Sequence, residues 1–271
     1  MPELNAVVTQ RVELAPGLIV LRVKPEGWAL PDFIAGQFTV LGLPGSAPRI
    51  TFSDGEEPAP EPEKMIKRAY SIASSSVEKE YVEFYITLIR SGALTPRLFS
   101  LKVGDKLWMS QKFVGIFTLS QIEREDTGGN IILLATGTGI APYMSMLRTE
   151  LERGDSRCYA VVHGARHSWD LGYRAELRTM ARICKNFNYV PVISRPDEEP
   201  AGWGGKAGYI QDVWTDDIET LFGFKPSPED THIFLCGNPA MIETMTDRLS
   251  SDGYAEHTKK QPGQIHTEKF W

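Results

Sequence analysis

The stretch IILLATGTGIAPYMSMLRTEL, Ile131–Leu151, decides the fold. Ile131–Leu134 is an apolar run short enough to be a strand buried on both faces, and Thr136-Gly137-Thr138-Gly139 is a turn of small residues. An amphipathic helix is expected next, with Ile140, Met144, Leu147 and Leu151 close to the helical period. Pro142 falls in its first turn, where the missing N–H costs nothing, and Gly154 is the expected stop. Strand, glycine turn and helix N-terminus together suit the negative charge of a pyrophosphate. A bare Gly-x-Gly also reads as an ordinary βα turn; the two threonines and the helix signals favour phosphate here.

Toward the C-terminus, strands and helices alternate. Cys158–Val162, Tyr189–Ser194 and His232–Leu235 read as strands; Leu171–Ile183, Ile210–Phe222 and Asn238–Leu249 read as helices. Asn238 is the expected N-cap, Pro239 opens the helix and Gly253 lies just beyond its end. This rhythm predicts a doubly wound parallel sheet. Its ligands belong beyond the carboxyl ends of the strands, where Thr136–Gly139, Gly164–Arg166, Ser194-Arg195 and Cys236-Gly237 fall.

Toward the N-terminus the pattern is different. Ala6–Leu14, Leu18–Val23, Gly36–Leu41, Arg68–Ala73, Tyr81–Arg90 and Lys106–Lys112 are β-rich and separated by turn signals such as Pro16-Gly17. Short strands without long helices between them predict an antiparallel barrel or sandwich, with one short helix at Leu94–Leu101. Pro44–Lys64, rich in Pro, Gly and Glu, reads as a long exposed loop, and the polar stretch Glu123–Asn130, with Gly128-Gly129, as the domain boundary. No internal repeat is visible.

The 271 residues suffice for one large or two ordinary cores. No apolar run approaches the ~20 residues of a membrane span. The start, MPELNAVVTQRVEL, lacks a signal-peptide pattern, so a cytoplasmic location is expected. A net charge of −6 argues against a broad nucleic-acid footprint. Cys158, Cys184 and Cys236 make neither a disulfide framework nor a CxxC metal site, and three thiols cannot ligate an iron–sulfur cluster alone. No metal site is expected.

Within RAYSIAS, Arg68–Ser74, strand alternation puts Arg68, Tyr70 and Ile72 on one face and Ala69 and Ser71 on the other. Alone this is equally a surface strand with one aromatic packed inward. Taken together, RAYSIAS, GALT (Gly92–Thr95), ATGTGIAPY (Ala135–Tyr143), LCGNPAM (Leu235–Met241) and the aromatic C-terminus resemble the ferredoxin (flavodoxin)–NADP reductase family, bacterial type. The matches run in the family's order across nearly the whole chain.

The resemblance implies an FAD-binding antiparallel β-barrel over residues 1–124. A doubly wound NADP-binding α/β domain follows over residues 125–271, its tail returning to the flavin. It further implies that Arg68 holds the FAD pyrophosphate, Tyr70 packs on the isoalloxazine and Ser71 hydrogen-bonds near flavin N5. A guanidinium forks onto phosphate and an aromatic face covers a planar ring, so these roles suit the residue types. The backbone of Tyr85, Ile86 and Thr87 would line the flavin, while Gly92, Leu94 and Thr95 would meet the pyrophosphate. Thr136, Gly137, Thr138 and Gly139 would line the NADP pyrophosphate and the nicotinamide approach. Arg166, equally a solvated loop arginine, is the candidate for the adenosine phosphate.

Ser194, Arg195, Lys206 and Tyr209 would take the ribose 2′-phosphate and adenine, since two cations and a ring suit a dianion on a stacked base. Pro196 stands where the family often has an acidic residue. Cys236, read by itself a core thiol, would with Gly237 lie beside the nicotinamide. Glu268 would approach the same ring; Phe270 would cover the isoalloxazine and Trp271 the adenine of FAD, though which aromatic covers which ring stays open.

The activity implied is hydride transfer between NADP(H) and FAD, along a path marked by Ser71, Cys236, Glu268 and Phe270. Single electrons would pass to a separate ferredoxin or flavodoxin, in a transient complex. Two alternatives stay open: the reductase component of an oxygenase or a free-flavin reductase, which share the fold, and, in a different class, a non-catalytic flavin-binding redox sensor.

Overall fold

The computed structural model describes residues 3–122, 129–151, 157–214 and 217–269. The expected helix stop at Gly154, most of the expected boundary stretch, and Phe270 and Trp271 lie outside these described residues. The chain divides into two compact units, one taking the residues up to Thr118 with Ala141–Thr149, the other Leu119–Ile140 with the residues from Glu150 on.

The first unit is built on strands β1 (Ala6–Ala15), β2 (Leu18–Pro25), β3 (Phe38–Pro44), β4 (Met65–Ser71), β5 (Val82–Thr87) and β6 (Lys106–Met109), with helix α1 (Thr95–Ser100) before β6. They form one antiparallel sheet in the order β4-β3-β6-β1-β2-β5. Its two outer strands meet through an Ile72–Phe84 bridge and an Ala73 N–H donated to Glu83 O at 2.8 Å, which closes the sheet as a barrel. Gly17, at φ +80°, supplies the left-handed turn residue of the β1–β2 hairpin. Ile19, Leu21, Val23, Leu41, Phe84 and Leu98 fill the core.

Pro44–Lys64 is more than an exposed loop. Arg97, 2% exposed, binds Glu56 with both terminal guanidinium nitrogens at 2.8 and 2.7 Å, and Arg49 reaches the same carboxylate at 2.8 Å. Hydrogen bonding from Arg97 holds the Glu56 carboxyl below the usual carboxylate range. The loop is thereby pinned to α1.

The second unit is a parallel sheet of β7 (Asn130–Thr136), β8 (Tyr159–Ala165), β9 (Phe187–Ile193), β10 (Lys206–Ala207), β11 (Thr231–Gly237) and β12 (Ile265–Lys269), in the order β10-β9-β8-β7-β11-β12. β7 is buried almost throughout, as a strand covered on both faces must be. After it, a tight turn at Gly137–Gly139 leads into α2 (Ile140–Glu150). The unit's other helices are α3 (Arg174–Ile183), α4 (Ile218–Phe222) and α5 (Pro239–Ser251). The Asn238 side chain caps α5, accepting from Ala240 N–H at 2.8 Å.

Two elements differ from expectation. The helix expected over Ile210–Phe222 is a 3-10 turn at Ile210–Val213 followed by the short α4. Asp212, three residues on, folds back to accept the Tyr209 N–H at 2.7 Å and caps the start of this turn. The segment Ile265–Lys269, not read as a strand, is β12, paired in parallel with β11. Most of α2 groups with the barrel unit: Arg148 donates to Ala73 O and Glu83 Oε1, both at 2.8 Å, and Thr149 meets Ser75 at 3.0 Å. Among the described residues no helix is long and apolar enough to cross a membrane.

Candidate active site

In the sheet of the second unit, β7 and β11 are neighbours although β8 to β10 intervene in the chain, so the strand order reverses between β7 and its two neighbours. A crevice at the carboxyl ends is the place for a ligand. Thr136–Gly139, Cys236-Gly237 and Glu268 all lie at these ends. A Cβ at Gly139 would collide with Cys236 O, and one at Gly237 (φ +128°) with Thr136. These glycines let the β7 turn and the end of β11 touch. Thr136 Oγ1 accepts the Asn238 N–H at 2.7 Å and fixes that contact. Gly137, at φ +54°, has nothing within 4 Å of where its Cβ would be, so this side of the turn is open. Thr138 beside it is half-buried.

Cys236 and Glu268 are register partners on β11 and β12, with Sγ to Oε2 at 3.9 Å. Burial, reinforced by the Glu268 charge, pushes the Cys236 thiol well above its ordinary pKa. It is therefore a buried, protonated thiol rather than a thiolate nucleophile.

One residue under the turn was missed from sequence. His163 on β8 is fully buried opposite Ala135, its Nδ1 lies 3.4 Å from the Tyr189 hydroxyl, and burial lowers its pKa to about 4. A neutral imidazole thus sits under the glycine turn. A lone histidine inside an apolar strand carries no sequence signal for that position.

Three exposed cations gather at the ends of neighbouring strands: Arg166 after β8, Arg195 after β9 and Lys206 on β10. Ser194 N–H donates to Ala165 O and Arg195 N–H to Arg166 O, both at 3.0 Å, so the β8 and β9 loops run side by side. Lys206 pairs with Val192, its carbonyl accepts the Trp203 indole N–H at 2.7 Å, and Arg174 packs over the Trp203 ring at 4.7 Å. Tyr209 follows, 62% exposed. Ser194, Arg195, Lys206 and Tyr209 therefore lie on or just after adjoining strands.

In the barrel unit, Arg68 is exposed and donates to Lys67 O at 2.7 Å, while Tyr70 is half-buried with its ring edge-on to Phe84 at 6.5 Å. Burial pushes the Tyr70 hydroxyl up, so it stays protonated. Ser71 is buried at the end of β4, and Ile72, expected on the Arg68 face, is wholly in the core because it forms the closing bridge. Tyr85 and Ile86 bury their side chains and Thr87 is exposed, so the first two offer backbone alone.

The Gly92–Thr95 turn is braced from within. Thr95 Oγ1 donates to Ile89 O at 3.1 Å and accepts from Ile89 N–H at 3.0 Å. Its one proton is committed to that contact, so the hydroxyl braces the turn. Gly92 sits against this brace, where a Cβ would crowd Ile89 O and Thr95 Oγ1, and the Leu94 side chain is buried. Among the described residues no cluster of His, Cys, Asp or Glu could hold a metal ion.

Residues 133–247 match the family model described as the oxidoreductase NAD-binding domain. The flavodoxin/ferredoxin–NADP reductase of Buchnera aphidicola subsp. Baizongia pistaciae is 30% identical over 243 residues, covering 89% of each chain. The reductase component DmpP of phenol 2-monooxygenase from Pseudomonas sp. (strain CF600) is 31% identical over 90% of this chain, which spans 61% of that protein. The crystal structure of a ferredoxin NADP+ reductase from Neisseria gonorrhoeae with bound FAD and NADP superposes with a TM-score of 0.80 at 25% identity, covering 98% of this chain and 97% of that one. The chain belongs to the flavodoxin/ferredoxin–NADP reductase family.

Proposed function

We propose that this protein is an FAD-dependent reductase that moves hydride between NADP(H) and FAD and exchanges single electrons with a ferredoxin or flavodoxin. The observation that carries it is the open Gly137 turn beside the Cys236–Glu268 pair at adjacent strand ends. The residues present fit both cofactors. A dinucleotide needs cations and open backbone for its phosphates, and Arg68 in one unit and the Gly137 cradle in the other supply them. Bound FAD would supply the conversion between two-electron and one-electron transfer.

In this reading residues 1–124 hold FAD. Arg68 forks onto its pyrophosphate, Tyr70 presents a ring face to the isoalloxazine, and Ser71 offers its hydroxyl near flavin N5. The Tyr85–Thr87 backbone lines the ring, and the Gly92–Thr95 turn contributes backbone only. Residues 125–271 hold NADP(H). The Thr136–Gly139 turn receives the pyrophosphate, Arg166, Arg195 and Lys206 the phosphates at the adenosine end, and Tyr209 the adenine. Cys236 and Glu268 border the nicotinamide; the roles expected of Phe270 and Trp271 belong to the proposal too, as does a cytoplasmic setting. Hydride transfer needs no general base, so a neutral Cys236 thiol suffices as packing against the nicotinamide.

The similarity to DmpP supports a second reading, a reductase serving an oxygenase. Heat release of the pigment followed by chromatography tests the flavin, with FAD expected. NADPH turnover with ferricyanide tests the enzyme, and turnover with purified ferredoxin and flavodoxin tests the acceptor. FMN alone, or no flavin in the folded protein, overturns the proposal. Ferricyanide turnover without electron transfer to either carrier favours the oxygenase reading.

A further inference from the structure

Glu198 stands between two cations. Its Oε2 meets His167 Nε2 at 2.7 Å and its Oε1 lies 3.4 Å from Arg195 Nη1. On the other side of the imidazole, Asp170 Oδ2 lies 3.1 Å from Nδ1, and the ring stacks on Trp169 with centroids 4.4 Å apart and planes 9° apart. The next residue, Glu199, accepts from Ser168 N–H at 2.6 Å and from Ser168 Oγ at 2.7 Å. Two carboxylates thus staple the segment after Arg195 to the loop after Arg166.

An anion reaching Arg195 must compete with Glu198. We infer that Glu198, positioned by His167, sets the strength and the pH dependence of the preference for a 2′-phosphorylated adenosine. This rests on the NADP(H) reading of the Arg195 site. An imidazolium donates to two carboxylates at once, whereas a neutral imidazole has a single N–H to give. While His167 is charged, Glu198 is neutralised there and Arg195 is free for phosphate. When His167 loses its proton, one carboxylate faces a ring lone pair, and Glu198 carries its full charge beside Arg195.

The groups facing the imidazole are Asp170, Glu198 and Glu199, with Arg195 behind Glu198 and Arg174 near Glu199. The Glu198 hydrogen bond and then Asp170 raise the His167 pKa, so the switch falls above the ordinary histidine value. A 2′-phosphate has its second pKa at about 6, so it is already a dianion across pH 7–9. A change in that range belongs to the protein.

The test is calorimetric binding of adenosine 2′,5′-bisphosphate and of 5′-AMP to the flavin-loaded protein from pH 7 to 9. The preference for the bisphosphate should fall with rising pH by about two- to fivefold, the range of an exposed ion pair. Glu198→Gln should remove the fall and raise bisphosphate affinity at pH 9 by the same factor, leaving 5′-AMP unchanged. His167→Phe, which keeps the stack on Trp169, should hold the preference at its high-pH value throughout, and adding Glu198→Gln should restore it. Parallel pH curves for wild type and Glu198→Gln, or no rescue in the double variant, overturn the inference. A wild-type protein with no preference for the bisphosphate at any pH overturns the NADP(H) reading itself, and this inference with it.

Discussion

Arg195 is a residue whose chemistry and setting pull in different directions. A charge-assisted contact to phosphate is worth ~1.5–3 kcal/mol, but this guanidinium is half-exposed and already shares Glu198. Arg195→Ala should therefore raise the Michaelis constant for NADPH by about tenfold, the low end of that range, and leave NADH nearly unchanged. An equal loss for both cofactors would assign the arginine to a part they share. Cys236 gives a second prediction at this scale. Its thiol is buried and protonated, whereas Cys158 and Cys184 are partly exposed. Brief alkylation of the native protein at pH 8, read by mass spectrometry, should label Cys158 and Cys184 and spare Cys236. Labelling of Cys236 at a comparable rate would mean its site opens to solvent.

At the scale of elements, α2 shows how far a local pattern reaches. Its start was legible because an apolar run, two glycines and Pro142 act within a dozen residues. Its attachment was not. Glu83, 1% exposed, accepts from Arg22 Nε at 2.7 Å and from Arg148 Nη1 at 2.8 Å, joining β2, β5 and α2. Charges separated by 61 and 65 positions look in sequence like ordinary surface residues. Glu83→Gln leaves two guanidinium groups around a neutral amide and should cost about 3–5 kcal/mol of unfolding free energy in denaturant titration, as breaking a buried pair does. A loss under 1 kcal/mol would show the pair to be effectively solvated.

The same limit hid β12, whose Ile265-His266-Thr267-Glu268-Lys269 has one aliphatic residue and becomes a strand by pairing with β11. Sequence placed the glycine turn, Arg166 and Arg195 at strand ends because these follow from strand order. The resemblance put Cys236 and Glu268 near one ring but not in contact with each other, and the Thr95 brace depends on a backbone turn that no spacing encodes.

For the whole molecule, the distribution of histidine separates the two units. All five histidines, at 163, 167, 232, 257 and 266, lie in the residues that follow Thr118 and outside α2. His266 is buried, stacked on Phe234 at 4.3 Å, and 3.1 Å from His232; burial first, then His232 and His257, lower its pKa to about 3. His163 is lowered to about 4. Both are neutral in the native state and take up protons on unfolding, so each loses stability as pH falls below the unfolded value of ~6.5. The slope is ~1.4 kcal/mol per pH unit for each, or about 2 kcal/mol apiece at pH 5. His167 acts with the opposite sign, its raised pKa contributing stability at low pH that fades as pH rises through the folded value. Being near the surface, it offsets the buried pair weakly. The barrel unit's Glu56, with a lowered pKa, contributes stability that is lost only below the ordinary carboxylate range. Between pH 6.5 and 5 the sheet carrying the histidines should therefore weaken while the barrel does not. Denaturant unfolding followed by hydrogen exchange should show protection in β8, β11 and β12 falling with pH while that in β1–β6 holds. His266→Phe should flatten the dependence by the share assigned to His266. Equal pH slopes in both sets of strands, or an unchanged slope in the variant, would mean that these histidines are protonated in the native state.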